Sequence, residues 1–221
     1  MVAENENNHL RGVTTMSESM SCDPWRNITT RNGVQGDLVI SALQKSIRRG
    51  LAEEAVTFAY EMYITSEQFE DKLWRRLQAI SVEDVGFGDL SAPVLINSLN
   101  QMRQNFPYTD GDRPIFFVHA IRYLAAAQKD RTSDNLKNIV KTEFAYGRKP
   151  DIPDFALDMH TEKGRALGRD FKHFLAEGSR VENELPVDQN YKSRLLDLLD
   201  KIEQEGSDMV ENAFAYNGWQ A

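Results

Sequence analysis

The stretch LWRRLQAISVEDVGFGD, which runs from Leu73 to Asp89, decides how the rest of the chain is interpreted. Its first half repeats apolar residues at three- and four-residue spacing, which predicts an amphipathic helix. Its second half sets the adjacent acids Glu83 and Asp84 among glycines, which allow a tight turn. Because adjacent residues on a helix or turn do not face one another, we interpret the two acids as a structural corner and assign no catalytic residue.

The composition predicts a globular chain with an acidic surface. Of the 221 residues, 41% are hydrophobic and 27% are charged, so a hydrophobic core is expected. The formal net charge is -8, whereas a protein whose whole surface binds duplex DNA is normally basic. Any contact with nucleic acid is therefore expected from a local basic patch or from a partner.

The cysteine content and the hydropathy predict the cellular location of the chain. Cys22 is the only cysteine, so no disulfide within the chain is expected. No run of about 18 apolar residues predicts a membrane span, and the polar N-terminus lacks the apolar segment of a secretory signal. The expected location is the cytoplasm.

The periodicity predicts an all-α chain. The first 36 residues are polar and aperiodic, which predicts a flexible leader, with Trp25 docked on the folded part of its own chain. Beyond them, helical spacing recurs, and short connections predict a compact bundle of antiparallel neighbours. The predicted divisions are a leader at 1–36, a collar-like helical core at 37–147 and a helical extension at 148–221. The predicted helices lie at about 37–49, 52–63, 66–80, 91–106, 114–130, 133–147, 155–167, 171–182, 188–204 and 207–215.

Capping residues and glycines mark several of the predicted helix ends. Asp37, Ser66 and Ser133 stand where N-cap residues are expected. Gly50 and Gly147 each follow a predicted helix, which is the usual place of a C-terminal glycine.

Three ordered blocks carry a resemblance to a known family. They are SALQKSIRRG at 41–50, LWRRLQAISVEDVGFGD at 73–89 and AIRYLAAAQKDRTSDNLK at 120–137. Together they resemble the C-terminal helical domain of the MgsA-type AAA+ ATPases, the replication-associated recombination protein A family, over about residues 37–145. These ATPases are relatives of clamp loaders. The resemblance implies an all-α fold like the clamp-loader collar, which follows the ATPase and lid modules.

The resemblance implies an interaction role without the family's catalytic core. In that family the collar drives oligomerisation, typically into a tetramer, and the full enzymes act at stalled replication forks. A P-loop needs GxxxxGK[ST] to hold phosphate and magnesium, and no Gly-Lys pair occurs in these 221 residues. ATP hydrolysis by this polypeptide alone is therefore not expected, nor is a cofactor. The expected function is a non-catalytic oligomerisation and interaction module that binds a second copy, a separate AAA+ ATPase, a replication protein or DNA.

Two sets of residues are candidates for contacts with nucleic acid or with another subunit. Arginine forks suit phosphate, although cations at a helix C-terminus also complement the helix dipole. Tryptophan is enriched at subunit contacts, although aromatic residues at helical spacing are also typical of a core. The nucleic-acid candidates are Lys45, Arg48, Arg49, Arg75 and Arg76, and the interface candidates are Trp74 and Tyr63.

An acid–histidine cluster supports an alternative function from another class. Asp158 and His160 precede His173 and Glu177, which are spaced one helical turn apart. Carboxylates and imidazoles on facing helices form metal sites in helical bundles. The alternative is therefore a small helical metal-dependent hydrolase built on residues 154–184, although the same acids also fit helix caps and paired surface charges.

Overall fold

The computed structural model describes residues 24–186 and 190–206. The predicted all-α fold is confirmed, because these residues form helices and hold no β-strand beyond an isolated antiparallel bridge between Thr29 and Gln35. The chain divides into two compact units, Met1–Arg148 and Lys149–Ala221. The helix predicted at 207–215 lies outside the described residues.

The first unit is a bundle of six α-helices within its described residues 24–148. They are α1 (Gly36–Arg48), α2 (Ala52–Thr65), α3 (Glu67–Ile80), α4 (Ala92–Arg103), α5 (Pro114–Ala126) and α6 (Thr132–Ala145). Each of the first five buries one apolar stripe, as the three- and four-residue spacing predicts. The fully buried core includes Leu43, Ile47, Met62, Leu73, Leu77, Ile80, Ile96, Phe117, Ile121 and Leu124.

Helix α5 is central, but it is less buried than its sequence suggests. The run IFFVHAIRYLAAA is apolar almost all round, which predicts a fully buried helix with His119 in the core. The helix does pack against α1, α2, α3 and α4. Its outer side nevertheless reaches solvent, because Ile115, His119 and Arg122 are exposed. The prediction for His119 is therefore wrong.

The helix ends follow some of the predicted caps and not others. The Ser66 hydroxyl accepts a hydrogen bond from the Phe69 amide, as an N-cap side chain does. Asp37 lies in the first turn of α1 and does not cap it, because Gln35 holds the N-cap position. Ser133 likewise lies inside α6.

The start of α6 is capped by an upstream acid. The Asp130 carboxylate accepts hydrogen bonds from both the amide and the hydroxyl of Thr132, at 2.8 and 2.9 Å. Asp130 lies one position before the N-cap residue Arg131 and binds the first amide of α6, so the predicted cap at Ser133 is wrong.

The described residues include the last part of the predicted leader, from Pro24 onward. Pro24–Asn27 form a 3₁₀ turn, and the Trp25 ring packs edge-on against Phe69 at 4.8 Å between centroids. The predicted docking of Trp25 on its own chain is therefore confirmed. An edge-to-face pair of this kind adds to the burial of both rings, so residues 24–35 belong to the bundle.

The corner after α3 depends on two glycines. Ser81–Val85 form a π-helical turn and Gly86–Gly88 a 3₁₀ turn. Gly86 has a φ of +51°, and a Cβ there would lie 2.4 Å from the Asp130 carbonyl oxygen. A Cβ at Gly88 would lie 2.5 Å from the Gln128 carbonyl oxygen. Only glycine lets the two chain segments approach this closely, and the Asp130 amide then donates to the Asp84 carbonyl at 3.0 Å.

The second unit is built from shorter pieces in its described residues 149–186 and 190–206. They are a 3₁₀ turn at Asp154–Ala156, α7 (Glu162–Ala166), α8 (Phe171–His173), a π-helical turn at Phe174–Gly178 that continues α8, and α9 (Asn190–Glu205). Arg169 ties the first turn down through its guanidinium, which contacts the Asp154 carboxylate at 2.6 Å. In the part of the chain that the structure describes, no helix is long and apolar enough to cross a membrane.

Candidate functional site

The three sequence blocks meet in a charged cluster around Asp84. The Asp84 side chain is 0% exposed and accepts a hydrogen bond from Arg48 Nε at 2.7 Å. It also accepts hydrogen bonds from Arg131, in the third block, and from Gln44 Nε2 at 3.1 Å. The acid that the sequence analysis placed in a local turn therefore acts over a long range, because it joins α1, the corner and the start of α6.

Glu83 extends the cluster toward solvent. Its carboxylate lies 3.4 Å from both Arg48 and Arg131, and 3.8 Å from Arg76. Gln44 Nε2 donates to it at 2.9 Å. The two adjacent acids thus share the same arginines, which the π-helical turn at 81–85 allows.

The cluster anchors the first turn of α6. Arg131 and Lys137 both contact the Asp134 carboxylate, which is buried. The hydrogen bond from Lys137 and the charge of Arg131 lower the pKa of Asp134 below its usual value. Burial alone would lower the pKa of Arg131, but the hydrogen bond and charge of Asp84 outweigh it and raise that pKa. Both shifts favour the ionised pairs that hold this end of the helix.

Beyond its first turn, α6 presents an apolar face to solvent. Leu136, Ile139, Val140 and Phe144 share one side of the helix by three- and four-residue spacing, and we call them the α6 face. Their exposures range from 38% to 62%, although such a stripe is normally buried in a globular protein. Asp134 is the only residue of α6 that the described fold buries.

An apolar groove adjoins the start of α6. It has a volume of about 180 Å³ and an apolar lining. Phe87 and Leu90, at its rim, are 71% and 73% exposed. Ser133 brings α6 itself to the groove, so the groove and the α6 face form one continuous surface. The lining residues are Ser81, Val82, Gly86, Phe87, Leu90, Pro93 and Ser133.

The predicted nucleic-acid residues do not act as one set. Arg48 and Arg76 contact acids of the charged cluster. Lys45, Arg49 and Arg75 are exposed on α1 and α3. Arg49, at the end of α1, donates a hydrogen bond to the Lys45 carbonyl at 3.0 Å, as a cation at a helix C-terminus does. Arg75, in the middle of α3, donates to the Asp71 carbonyl at 3.3 Å. The exposed cations available for phosphate are therefore three of the five.

The predicted interface residues are buried in the core, which corrects their assignment to a surface contact. The Trp74 side chain packs against the Arg103 guanidinium, 5.6 Å from the ring centroid. Tyr63 packs against Tyr108 and Phe117. Their exposures are 1% and 8%, because both lie on the core-facing side of their helices. Neither ring is available as the centre of a subunit contact.

A second buried group of ion pairs lies around Glu70, and it was not predicted from the sequence. The Glu70 carboxylate contacts Arg103 Nη1 and Arg113 Nη2, each at 2.9 Å. Arg113 also donates to the Arg103 carbonyl at 3.1 Å and to the Phe106 carbonyl. Burial lowers the pKa of Arg113, but the hydrogen bond and charge of Glu70 outweigh it and raise that pKa. A glutamate one turn before Leu73 and Trp74, inside an apolar stripe, was the signal in the sequence.

The acid–histidine cluster does not gather into a metal site. Asp158 Oδ2 lies 3.1 Å from His160 Nδ1, and the same carboxylate accepts the His160 amide at 2.9 Å. Near His173, the Asp170 carboxylate caps the short helix α8 by accepting a hydrogen bond from the His173 amide at 2.9 Å. Within residues 24–186 and 190–206, no three histidine, cysteine or acidic side chains come together as metal ligands. The geometry therefore favours the cap and turn interpretation of these residues.

Comparison with known proteins relates more than half of the chain to a curated protein. No protein-family model matches the chain. The chain is similar to replication-associated recombination protein A of Haemophilus influenzae, with 34% identity over 131 residues. The match covers 57% of this chain and 27% of that protein, so the chain spans about a quarter of the length of the curated relative it matches. This similarity supports a relation to the AAA+ proteins of replication and recombination.

Proposed function

We propose that this chain is a non-catalytic, collar-like module that self-associates and binds a component of an AAA+ machine of DNA replication or repair. The observation that carries the proposal is the continuous apolar surface formed by the α6 face and the groove. Soluble proteins rarely expose apolar patches of this extent unless another molecule covers them. The charged cluster beneath holds this surface in a fixed place.

The relation to replication-associated recombination protein A supports the second half of the proposal. The residues that carry the resemblance are the residues that build the charged cluster and so position α6. Arg48 comes from the first block, Asp84 from the second and Arg131 from the third. A shared collar would keep this cluster for the same reason, namely to present α6. By the same resemblance the proposed assembly is a tetramer, with a separate AAA+ ATPase as its partner.

The first test is the mass of the chain in solution. We expect light scattering to give a multiple of the 25.2 kDa chain mass at tens of micromolar protein. The double variant Leu136→Asp with Val140→Asp should return the mass to that of the monomer, because two carboxylates in an apolar contact are strongly unfavourable. Both positions are exposed in the single chain, so circular dichroism should show an unchanged helix content.

Ile115→Asp is the matched control, since Ile115 is an equally exposed apolar residue on α5. It should leave the mass of the assembly unchanged. A wild-type mass equal to that of the monomer at every concentration would contradict self-association.

Contact with DNA remains a prediction, and the structure sharpens its test. The triple variant Lys45→Glu, Arg49→Glu and Arg75→Glu changes exposed cations and spares Arg48, which holds the charged cluster. It should lower the affinity for single-stranded or forked DNA by at least about tenfold at low salt and flatten the salt dependence of binding. Fluorescence anisotropy with labelled DNA measures both quantities.

The control for the DNA test is Arg122→Glu, which reverses an exposed cation on α5. It should bind DNA as the wild type does. Equal binding by the triple variant, or an absence of binding by the wild type, would remove DNA from the proposed partners.

A further inference from the structure

We propose, resting on the proposed function, that a second copy of this chain covers the apolar surface. In this pairing of two copies within the proposed assembly, α6 lies antiparallel to α6 of the second copy about a two-fold axis. Phe144 of each copy enters the apolar groove of the other.

The position of Phe144 relative to the groove follows from the geometry of α6. Ser133 lines the groove and lies 11 residues before Phe144 on the same helix. Eleven residues of an α-helix amount to roughly three turns, with about 20° left over and a rise of about 16 Å. Phe144 and the mouth of the groove therefore lie on the same side of α6, at opposite ends.

Two-fold symmetry can bring Phe144 of one copy to the groove of the other. When two antiparallel helices are related by a two-fold axis, each side of one helix faces the same side of the other, with its ends reversed. With the axis crossing α6 between residues 138 and 139, midway between the two positions, Phe144 of one copy lies beside Ser133 of the other, next to the groove. The same operation places the second Phe144 against the first groove, so both contacts form at once.

The groove is large enough to hold the Phe144 ring. The groove has a volume of about 180 Å³, and an apolar cavity of about 150 Å³ is known to bind a benzene ring. The Phe144 ring is half exposed on the single chain. Phe87 at the rim offers an aromatic partner, and aromatic pairs are stabilising beyond their buried area.

The exposed apolar surface on α6 and at the groove is wide enough for a contact between two copies. The α6 face and the apolar residues Val82, Phe87 and Leu90 at the groove are each 38% to 73% exposed. Covering them on both copies gives a contact of the order of a standard interface, to which each partner contributes about 800 Å². A two-fold contact uses the same patch on both copies, so the patch must hold both the protruding group and the recess. This surface holds both, which favours a second copy over an unrelated protein.

The carboxylate on this side of α6 is paired within the chain, because Glu143, one turn after Ile139, forms an ion pair with Arg148. Lys137 borders the α6 face, but Asp134 neutralises it at 2.5 Å. Lys141 borders the same side and has a long aliphatic stem that can cover apolar surface.

The test uses disulfide cross-linking between copies in a Cys22→Ser background. The double variant Phe144→Cys with Leu90→Cys should form a disulfide-linked dimer on mild oxidation, because the proposed contact brings these positions together across the interface. Each single variant should cross-link much less, since like positions lie far apart across the two-fold axis. A non-reducing gel detects the dimer, and peptide mass spectrometry identifies the bond between the two introduced cysteines by its mass.

A second measurement uses no cysteine. Phe144→Ala should raise the dissociation constant of the assembly about tenfold or more, as the loss of a central aromatic anchor does. An assembly of normal mass and affinity in Phe144→Ala, or single variants that cross-link as well as the double, would overturn this inference and leave self-association standing. A wild type that is monomeric throughout would overturn both.

Discussion

Replacing Glu70 by alanine is expected to lower the free energy of unfolding of the chain by about 3–5 kcal/mol, the cost of removing one partner from a buried ion pair. Glu70 is 1% exposed and lies between Arg103 and Arg113. Without its carboxylate, two guanidinium groups are left with little access to water. Urea unfolding followed by circular dichroism and tryptophan fluorescence measures the change, with the slope against urea expected to stay constant.

The size of this effect follows from how Arg113 is held. Its guanidinium donates to Glu70 and to two carbonyl groups at the end of α4 and beyond, at Arg103 and Phe106. Glu70 therefore ties α3 to the end of α4 and to the start of α5. The loss of the carboxylate is expected to loosen this end of the bundle as well as to remove the pair itself.

The matched control is Asp71→Ala. Asp71 contacts the same Arg103 at 3.0 Å, but its side chain is 61% exposed. An exposed pair contributes about 0.2–1 kcal/mol, because water screens it. Two variants that remove a carboxylate from the same arginine should thus differ several-fold in stability, and equal effects would refute the assignment of Glu70 as a buried anchor.

The sequence predicts the helices better than it predicts what joins them. Spacing and the Ser66 cap locate α1 to α5 because both signals are local. The charge pairs are not local, since Asp84 contacts Arg48 and Arg131, which lie 36 and 47 positions away. No pattern in a single chain distinguishes an arginine that binds a buried acid from one that binds phosphate.

The α6 face shows a second limit of sequence patterns. Its apolar stripe has the same spacing as the stripes of the buried helices, so the sequence predicts burial without saying against what. The acid–histidine alternative shows a third limit, which is the length of the helices. It assumed two facing helices in residues 154–184, whereas α7 has only five residues and α8 with its π-helical continuation ends at Gly178. Gly164 fits closely over the Asp158 backbone and Gly168 has a φ of +72°, so the chain turns where long helices were expected.

Replacing Asp84 by alanine should both destabilise the first unit and weaken self-association. We expect a loss of about 2–4 kcal/mol, below that for Glu70, because Arg48 and Arg131 are each about 30% exposed and can turn to water. Arg131 would lose the acid that joins α6 to the corner. The α6 face and the groove would then no longer hold a fixed relation, so the assembly should dissociate at higher protein concentration than that of the wild type.

Glu83→Ala separates this effect from a general loss of negative charge at the corner. Glu83 lies beside the same two arginines, but its side chain is 26% exposed and its distances to them are 3.4 Å. Its removal should cost about 1 kcal/mol or less and leave self-association intact. Because Asp84 alone is closed off from water, it alone should couple folding to assembly. Unfolding and light-scattering measurements on the two variants would contradict this if both lost assembly equally.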